Sequence, residues 1–149
     1  GSSTRIRKAR GQADLEAATR LLGRPFEMSG RVQHGQKLGR QLDTPTANIA
    51  LHRIRSPLQG VYVVNVSGAG MREVAGVANV GVRPTIGSSL EATLEAHVLE
   101  GSPDLYGQRL TVRFVHKLRD EKKFPSLDAL KAGIAADKAN ARAWLRNHG

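Results

Sequence analysis

The sequence predicts a mainly β domain, a small antiparallel barrel or sandwich, with a short helix before it and a longer helix after it. Three observations predict this. Between Glu27 and about His116 the chain breaks into short strand-like runs separated by Gly and Pro, at the spacing of all-β folds. On either side of that region the apolar residues change to helical spacing. At 149 residues, with 40% hydrophobic and 24% charged, the chain has the size and composition of one packed domain.

The leading helix is expected over residues 12–23, "QADLEAATRLLG". Leu15, Ala18, Leu21 and Leu22 recur at helical spacing, Asp14 and Glu16 favour the first turn, and Gly23 followed by Pro25 stops it. The strand candidates follow as "EMSGRVQHG", "GVYVVNVSG", "REVAGVANVG", "LEATLEAHVLE" and "QRLTVRFVHKL", with room for a sixth. In "EATLEAHVLE", alternation puts Leu94, Ala96 and Val98 on one face and Thr93, Glu95, His97 and Leu99 on the other. Pro125 and Ser126 then open a helix whose Leu127, Leu130, Ile134, Ala141 and Leu145 form an apolar stripe suited to packing on the barrel. No internal repeat or low-complexity segment interrupts this order.

Composition narrows the function classes. The chain has no cysteine, which excludes disulfides and thiolate metal sites. No secretory signal and no run long enough for a membrane span is present, so a cytoplasmic protein is expected. Net charge is +10 with a pI near 10.9, but Arg5, Arg7, Lys8 and Arg10 supply four of those charges from one short segment. The remainder suits a phosphorylated ligand as well as a polynucleotide. Only six aromatic residues must serve both the core and any base-stacking platform.

The chemistry concentrates in "GRVQHGQKLGRQLDTPTANIAL". Gly30, Gly35 and Gly39 punctuate a segment carrying Arg31, His34, Lys37 and Arg40, a combination that lets backbone N–H groups approach a phosphate while cations attract it. Hairpin glycines give the same pattern, and no Gly-Lys-Ser/Thr follows to make a Walker motif. In "TPTAN", Pro45 fixes φ, so the Thr46 hydroxyl and the Asn48 carbonyl can serve as hard oxygen ligands to Mg²⁺ or partners to phosphate. An Asx or Ser/Thr turn ahead of a strand uses the same groups. Glu95 is the candidate base, with His97 beside it on the same polar face, and a solvated strand face is the alternative. Histidines 34, 52, 97, 116 and 148 have no metal-ligand spacing, and no Gly-x-Ser-x-Gly occurs.

"GRVQHGQKLGRQLDTPTANI", "GVYVVNV", "GVANVGVRPTIG", "LEAHVLEGSPDLYGQRLTVRFVHKLRDEKKFPSLDAL" and "IAADKANAR", in that order, resemble the riboflavin kinase domain of the bacterial bifunctional riboflavin kinase/FAD synthetase. The resemblance covers about residues 24 to 143. It implies a six-stranded antiparallel barrel with flanking helices, and Mg²⁺-dependent transfer of the γ-phosphoryl of ATP to the terminal ribityl hydroxyl of riboflavin, giving FMN and ADP. By the same resemblance Thr46 and Asn48 hold Mg²⁺ and the nucleotide phosphates, and Gly30, Gly35, Lys37, Gly39, Arg40 and Pro45 belong to the ATP-binding segment. Glu95 accepts the proton of the attacking hydroxyl, and Arg119, Phe124 and Glu95 border the flavin.

"SSTRIR" resembles the end of an adenylyltransferase module. Residues 1–23 are therefore expected to be a residual linker and leading helix after that module, and 24–149 the kinase domain, without FMN adenylyltransferase activity. One departure is visible, in that Asp43 and Thr44 stand where the family pattern carries glycine and a bulky residue. Asp43 tolerates positive φ but brings a carboxylate towards the triphosphate. The competing function classes are a nucleic-acid-binding barrel, which the charge favours, and a non-catalytic flavin or nucleotide sensor. Neither membrane nor nucleic acid is expected as a partner.

Overall fold

The computed structural model describes residues 2–33, 46–51, 56, 58–84, 87, 90–101 and 103–148, with side chains from residue 11 onwards. Its elements are α1 (Ser2–Leu22), β1 (Glu27–Gln33), β2 (Ala47–Ile49), β3 (Gly60–Gly68), β4 (Met71–Pro84), β5 (Leu90–Val98), β6 (Arg109–Arg119) and α2 (Leu127–His148). The strands close into a barrel in the order β1-β2-β5-β4-β3-β6, and every pairing is antiparallel. Closure leaves no open sheet edge among the described strands. This is the expected six-stranded barrel, and its sixth strand is the three-residue β2 inside the "TPTANI" stretch.

Alternation builds the core. Tyr62, Val64 and Val66 of β3, Ala78 and Val80 of β4, Leu94 and Ala96 of β5, and Leu110, Val112 and Phe114 of β6 fill the interior. Phe114 meets Tyr62 edge-on at 5.3 Å between ring centroids and Phe26 at 5.9 Å. Each such side chain contributes about 1.5–3 kcal/mol by leaving water. The opposite faces of β3 and β4 present Val63 and Val77, which join Leu99 and Ala141 in a second cluster under α2.

Glycine shapes the join between β1 and β2. A Cβ on Gly30 would collide with the Ala50 carbonyl oxygen and come within 2.9 Å of the Ile49 side chain. Gly30 therefore lets β2 lie close against β1, where Val32 pairs with Ile49 and Gln33 with Asn48.

The leading helix begins at Ser2, ten residues before its predicted start, and ends as predicted. Residues 2–10 hold no proline, and a run of Arg, Lys and Ala carries a helix as well as the acidic turn that set the expected boundary. At the other end Gly23 takes φ 68° and its N–H reaches the Thr19 carbonyl at 3.0 Å, a left-handed C-terminal cap. α1 packs on β6, with Leu15 buried in the core and the Gln12 side-chain oxygen accepting the Lys117 N–H at 2.8 Å.

Two irregularities in β6 change which residues face inwards. Val64 pairs with Phe114 but Val63 with His116, and Tyr62 pairs with Lys117 but Val61 with Arg119. Each skipped residue is a bulge that reverses the alternation. Lys117 thereby turns inwards, 3% exposed, with its ammonium 2.6 Å from the Asp120 carboxylate. His116 stays half-buried at the surface and stacks on Trp144 of α2 at 4.7 Å.

α2 starts as the sequence predicts. The Ser126 hydroxyl accepts the Ala129 N–H at 3.1 Å, and the Leu130 N–H reaches the Ser126 carbonyl at 3.0 Å. No helix among the described residues is long and apolar enough to cross a membrane.

Candidate active site

Asn48 and Glu95 lie on the outside of the barrel, because their neighbours fill its inside. Ala47 and Ile49 are buried, so the intervening Asn48 points outwards, half-buried, one residue after Thr46. On β5, Leu94 and Ala96 face the interior and Glu95 lies between them on the outer, exposed side, as alternation predicts.

Register then brings separate strands together. Asn48 of β2 is directly opposite Glu95 of β5, and Glu95 is directly opposite Asn79 of β4. Opposed residues share a face with Cβ atoms about 5 Å apart. A row Asn48–Glu95–Asn79 therefore crosses three adjacent strands, and it continues to Val61 of β3 and Arg119 of β6.

The electrostatics of the row centre on Glu95. Its carboxyl is pushed above the ordinary value, first because surrounding protein removes part of its hydration, and then because the Glu121 carboxylate lies near; Arg83 opposes the shift. Solvent still reaches the side chain, so this desolvation is partial. Glu121 arrives from the segment after β6 and lies against Gly81, where a Cβ would come within 2.7 Å of one oxygen at the flexible carboxylate end of Glu121. The Gln59 amide donates to the other oxygen at 3.4 Å.

His97, two residues along β5, is 7% exposed rather than solvated. Its Nδ1 lies 3.4 Å from the Thr46 hydroxyl, so the second threonine of the motif is tied to β5 as Asn48 is.

At the far end of the row Arg119 is held by α2. Its Nε and one terminal nitrogen donate to the two oxygens of Asp137, both at 2.7 Å, and the other terminal nitrogen donates to the Asp120 carbonyl at 2.9 Å. The guanidinium lies 5.7 Å from the centroid of the Phe124 ring, which rests against Gly133 of α2. Arg119 and Phe124 are thus adjacent, and the Arg119 fork is already occupied by a buried carboxylate.

Gly35, Lys37, Gly39, Arg40 and Pro45 lie outside the described residues. Gly30 lies inside β1, and the space beside it is filled by Ala50. Three residues of this surface were not singled out from sequence. Asp137 carried a signal, since it stands between Ile134 and Ala141 on the apolar stripe, where an acid needs a partner. Asn79 and Glu121 carried none, because their places depend on register and on the path of the chain after β6.

The oxygen donors fit a hard cation. Thr46 and Asn48 offer a hydroxyl and an amide oxygen, Glu95 stands opposite, and no cluster of three His, Cys, Asp or Glu residues suited to a metal occurs among the described residues. Such a sparse set suits an ion that takes most of its ligands from phosphate and water.

Known proteins share this chain's sequence and fold. A family model described as flavokinase, riboflavin kinase, matches residues 22–145. The bifunctional riboflavin kinase/FMN adenylyltransferase of Pseudomonas fluorescens is 57% identical over 142 residues, covering 95% of this chain and 45% of the relative. That of Escherichia coli K12 is 48% identical over 144 residues, covering 97% and 46%. The chain thus spans about half the length of these relatives.

Among solved structures, a Streptococcus pneumoniae protein described as a macrolide-efflux protein matches with a TM-score of 0.76 at 35% identity, over 94% of this chain and 46% of that one. The riboflavin kinase of Trypanosoma brucei matches with a TM-score of 0.57 at 28% identity, over 82% and 80%. The matched family model spans most of a chain already seen to form a closed six-stranded barrel with Glu95 opposite Asn48 on its outer wall: this chain belongs to the riboflavin kinase family.

Proposed function

We propose that this chain transfers the γ-phosphoryl group of ATP to the terminal ribityl hydroxyl of riboflavin, giving FMN and ADP. The observation that carries the proposal is the direct opposition of Asn48 and Glu95 on the outer wall of the barrel, in a chain of this family. With the two side chains about 5 Å apart, a phosphate held at Asn48 and a hydroxyl held at Glu95 meet within reacting distance.

Glu95 orients the hydroxyl and takes its proton as the oxygen–phosphorus bond forms. A carboxylate whose proton affinity is raised by lost hydration is a better base near neutral pH than an exposed one. Thr46, fixed through His97, and Asn48, fixed in β2, are the residues that would hold Mg²⁺ and the phosphates, and Mg²⁺, when bound, supplies charge neutralisation on the transferring group. Gly30 acts through the position of β2. The nucleotide segment holding Gly35, Lys37, Gly39, Arg40 and Pro45 completes the phosphate side, and Phe124 with the Arg119–Asp137 pair borders the flavin ring.

FMN adenylyltransferase activity, the other half of the relatives' name, is assigned by this reading to the part of those proteins outside the match. The setting proposed is the cytoplasm. Incubation of the chain with riboflavin and Mg-ATP, followed by chromatography, tests the proposal. FMN and ADP are expected in equal amounts, with no FAD. Flavin binding without FMN selects a sensor, and salt-sensitive oligonucleotide binding alone selects a nucleic-acid barrel.

A further inference from the structure

Asn79 is a polar residue in the middle of the row to which neither the fold nor the proposed mechanism gives a task. It sits on β4, directly opposite Glu95 on one side and the buried Val61 on the other. Its side-chain oxygen is covered by protein, yet meets no hydrogen-bond donor among the described residues. A strand position needs no asparagine, which is a poor strand former, and a covered acceptor without a donor opposes folding. Such a group persists where something outside the free chain satisfies it.

The row supplies the direction of the ligand. In the proposed reaction phosphate is held over β2 at Asn48, and the hydroxyl under attack over β5 at Glu95. The flavin border formed by Arg119 and Phe124 lies beyond β3. A substrate joining these ends must cross β4, and adjacent strands are about 4.8 Å apart, a span within the length of a ribityl chain. The Cβ–Cγ torsion of asparagine is broad, so the amide can turn to offer either its oxygen or its NH₂ group at the surface.

We propose that the side-chain amide of Asn79 binds a secondary hydroxyl of the ribityl chain, and so distinguishes polyol-bearing flavins from the bare ring. The inference rests on the proposed placement of the reacting hydroxyl at Glu95. It makes Asn79 a substrate-binding residue, with no part in moving protons or phosphate.

The test is equilibrium titration of Asn79→Leu, which keeps the approximate shape and removes both hydrogen-bonding groups. The ligands are riboflavin and lumiflavin, the same ring with a methyl group in place of the ribityl chain, with the melting temperature measured alongside. We expect riboflavin affinity to fall at least about fivefold, lumiflavin affinity to stay within twofold, and the unliganded melting temperature to hold or rise. Equal loss for both flavins, unchanged riboflavin affinity, or a lowered melting temperature with unchanged selectivity would each overturn the assignment. Binding is read without turnover, so the two proposals fail separately. A parent chain that binds riboflavin but makes no FMN refutes the kinase reading alone, and FMN formation with an unaffected Asn79→Leu refutes only the role of Asn79.

Discussion

Thr46 and Asn48 stand at the start of β2 with different supports, one tied to His97 and the other paired in register with Glu95. Replacing either by Ala is expected to weaken use of Mg-ATP at least about tenfold, because a contact to a charged group is worth roughly 1.5–3 kcal/mol. Folding should change little, since both side chains are only half-buried. Steady-state kinetics in Mg-ATP at saturating riboflavin checks this, and near-parental kinetics would remove the phosphate-side assignment. Arg119 calls for a different reading. As a flavin contact it would be judged by the affinity lost in Arg119→Ala, but that change also strands the buried Asp137. Removing one partner of a buried pair costs on the order of 3 kcal/mol, so we expect Arg119→Ala to lose stability in denaturant titration. Asp137→Ala keeps the guanidinium and releases it. Equal losses of riboflavin affinity in both variants would show that Arg119 acts by seating α2 rather than by touching the ring.

Elements differ in how plainly the sequence announced them. β3 was legible residue for residue, because a Val-rich run bounded by Gly60 and Gly68 has no helical competitor. The start of α2 was legible because Ser126 has the chemistry of a helix cap and uses it. Ser126→Ala is expected to lower stability by about 1 kcal/mol and Ser126→Asp to restore most of it, read as shifts in denaturant midpoint at constant slope. The candidate pair Asn48 and Glu95 was reached through the strand pattern and the family resemblance, but their direct opposition is a matter of register, which no local sequence pattern fixes. The same holds for β6. Simple alternation from Leu110, Val112 and Phe114 points His116 inwards, whereas the bulge between Phe114 and His116 buries Lys117 instead. The pairing of β1 with β2 shows the converse. Gly30 reads from sequence either as a hairpin glycine or as part of an ATP-binding segment, and in the structure it admits the Ala50 carbonyl. Gly30→Ala should therefore destabilise the fold by about 1–3 kcal/mol and weaken Mg-ATP use through displacement of Asn48, a coupled loss that thermal unfolding and kinetics would show together.

At the scale of the whole molecule, the proposed function makes the barrel a wall across which a substrate is laid from end to end. The interior supplies rigidity, since the groups facing outwards at Asn48, Glu95 and Asn79 are each flanked by buried neighbours along their own strands. Phosphate and flavin are assigned to opposite ends of one row, and Glu95 stands between them. The central claim is that the proton leaves through this carboxylate. Glu95→Gln keeps shape and hydrogen bonding and removes basicity, and because Glu95 is an exposed outer-face residue the barrel should remain intact. General-base assistance contributes about 10² to 10⁴ in rate. The direct measurement is single-turnover FMN formation by the parent chain and by Glu95→Gln, both saturated with riboflavin and Mg-ATP. The account predicts binding within a few-fold of the parent and a rate lowered at least about a hundredfold, and equal rates in the two proteins would contradict it.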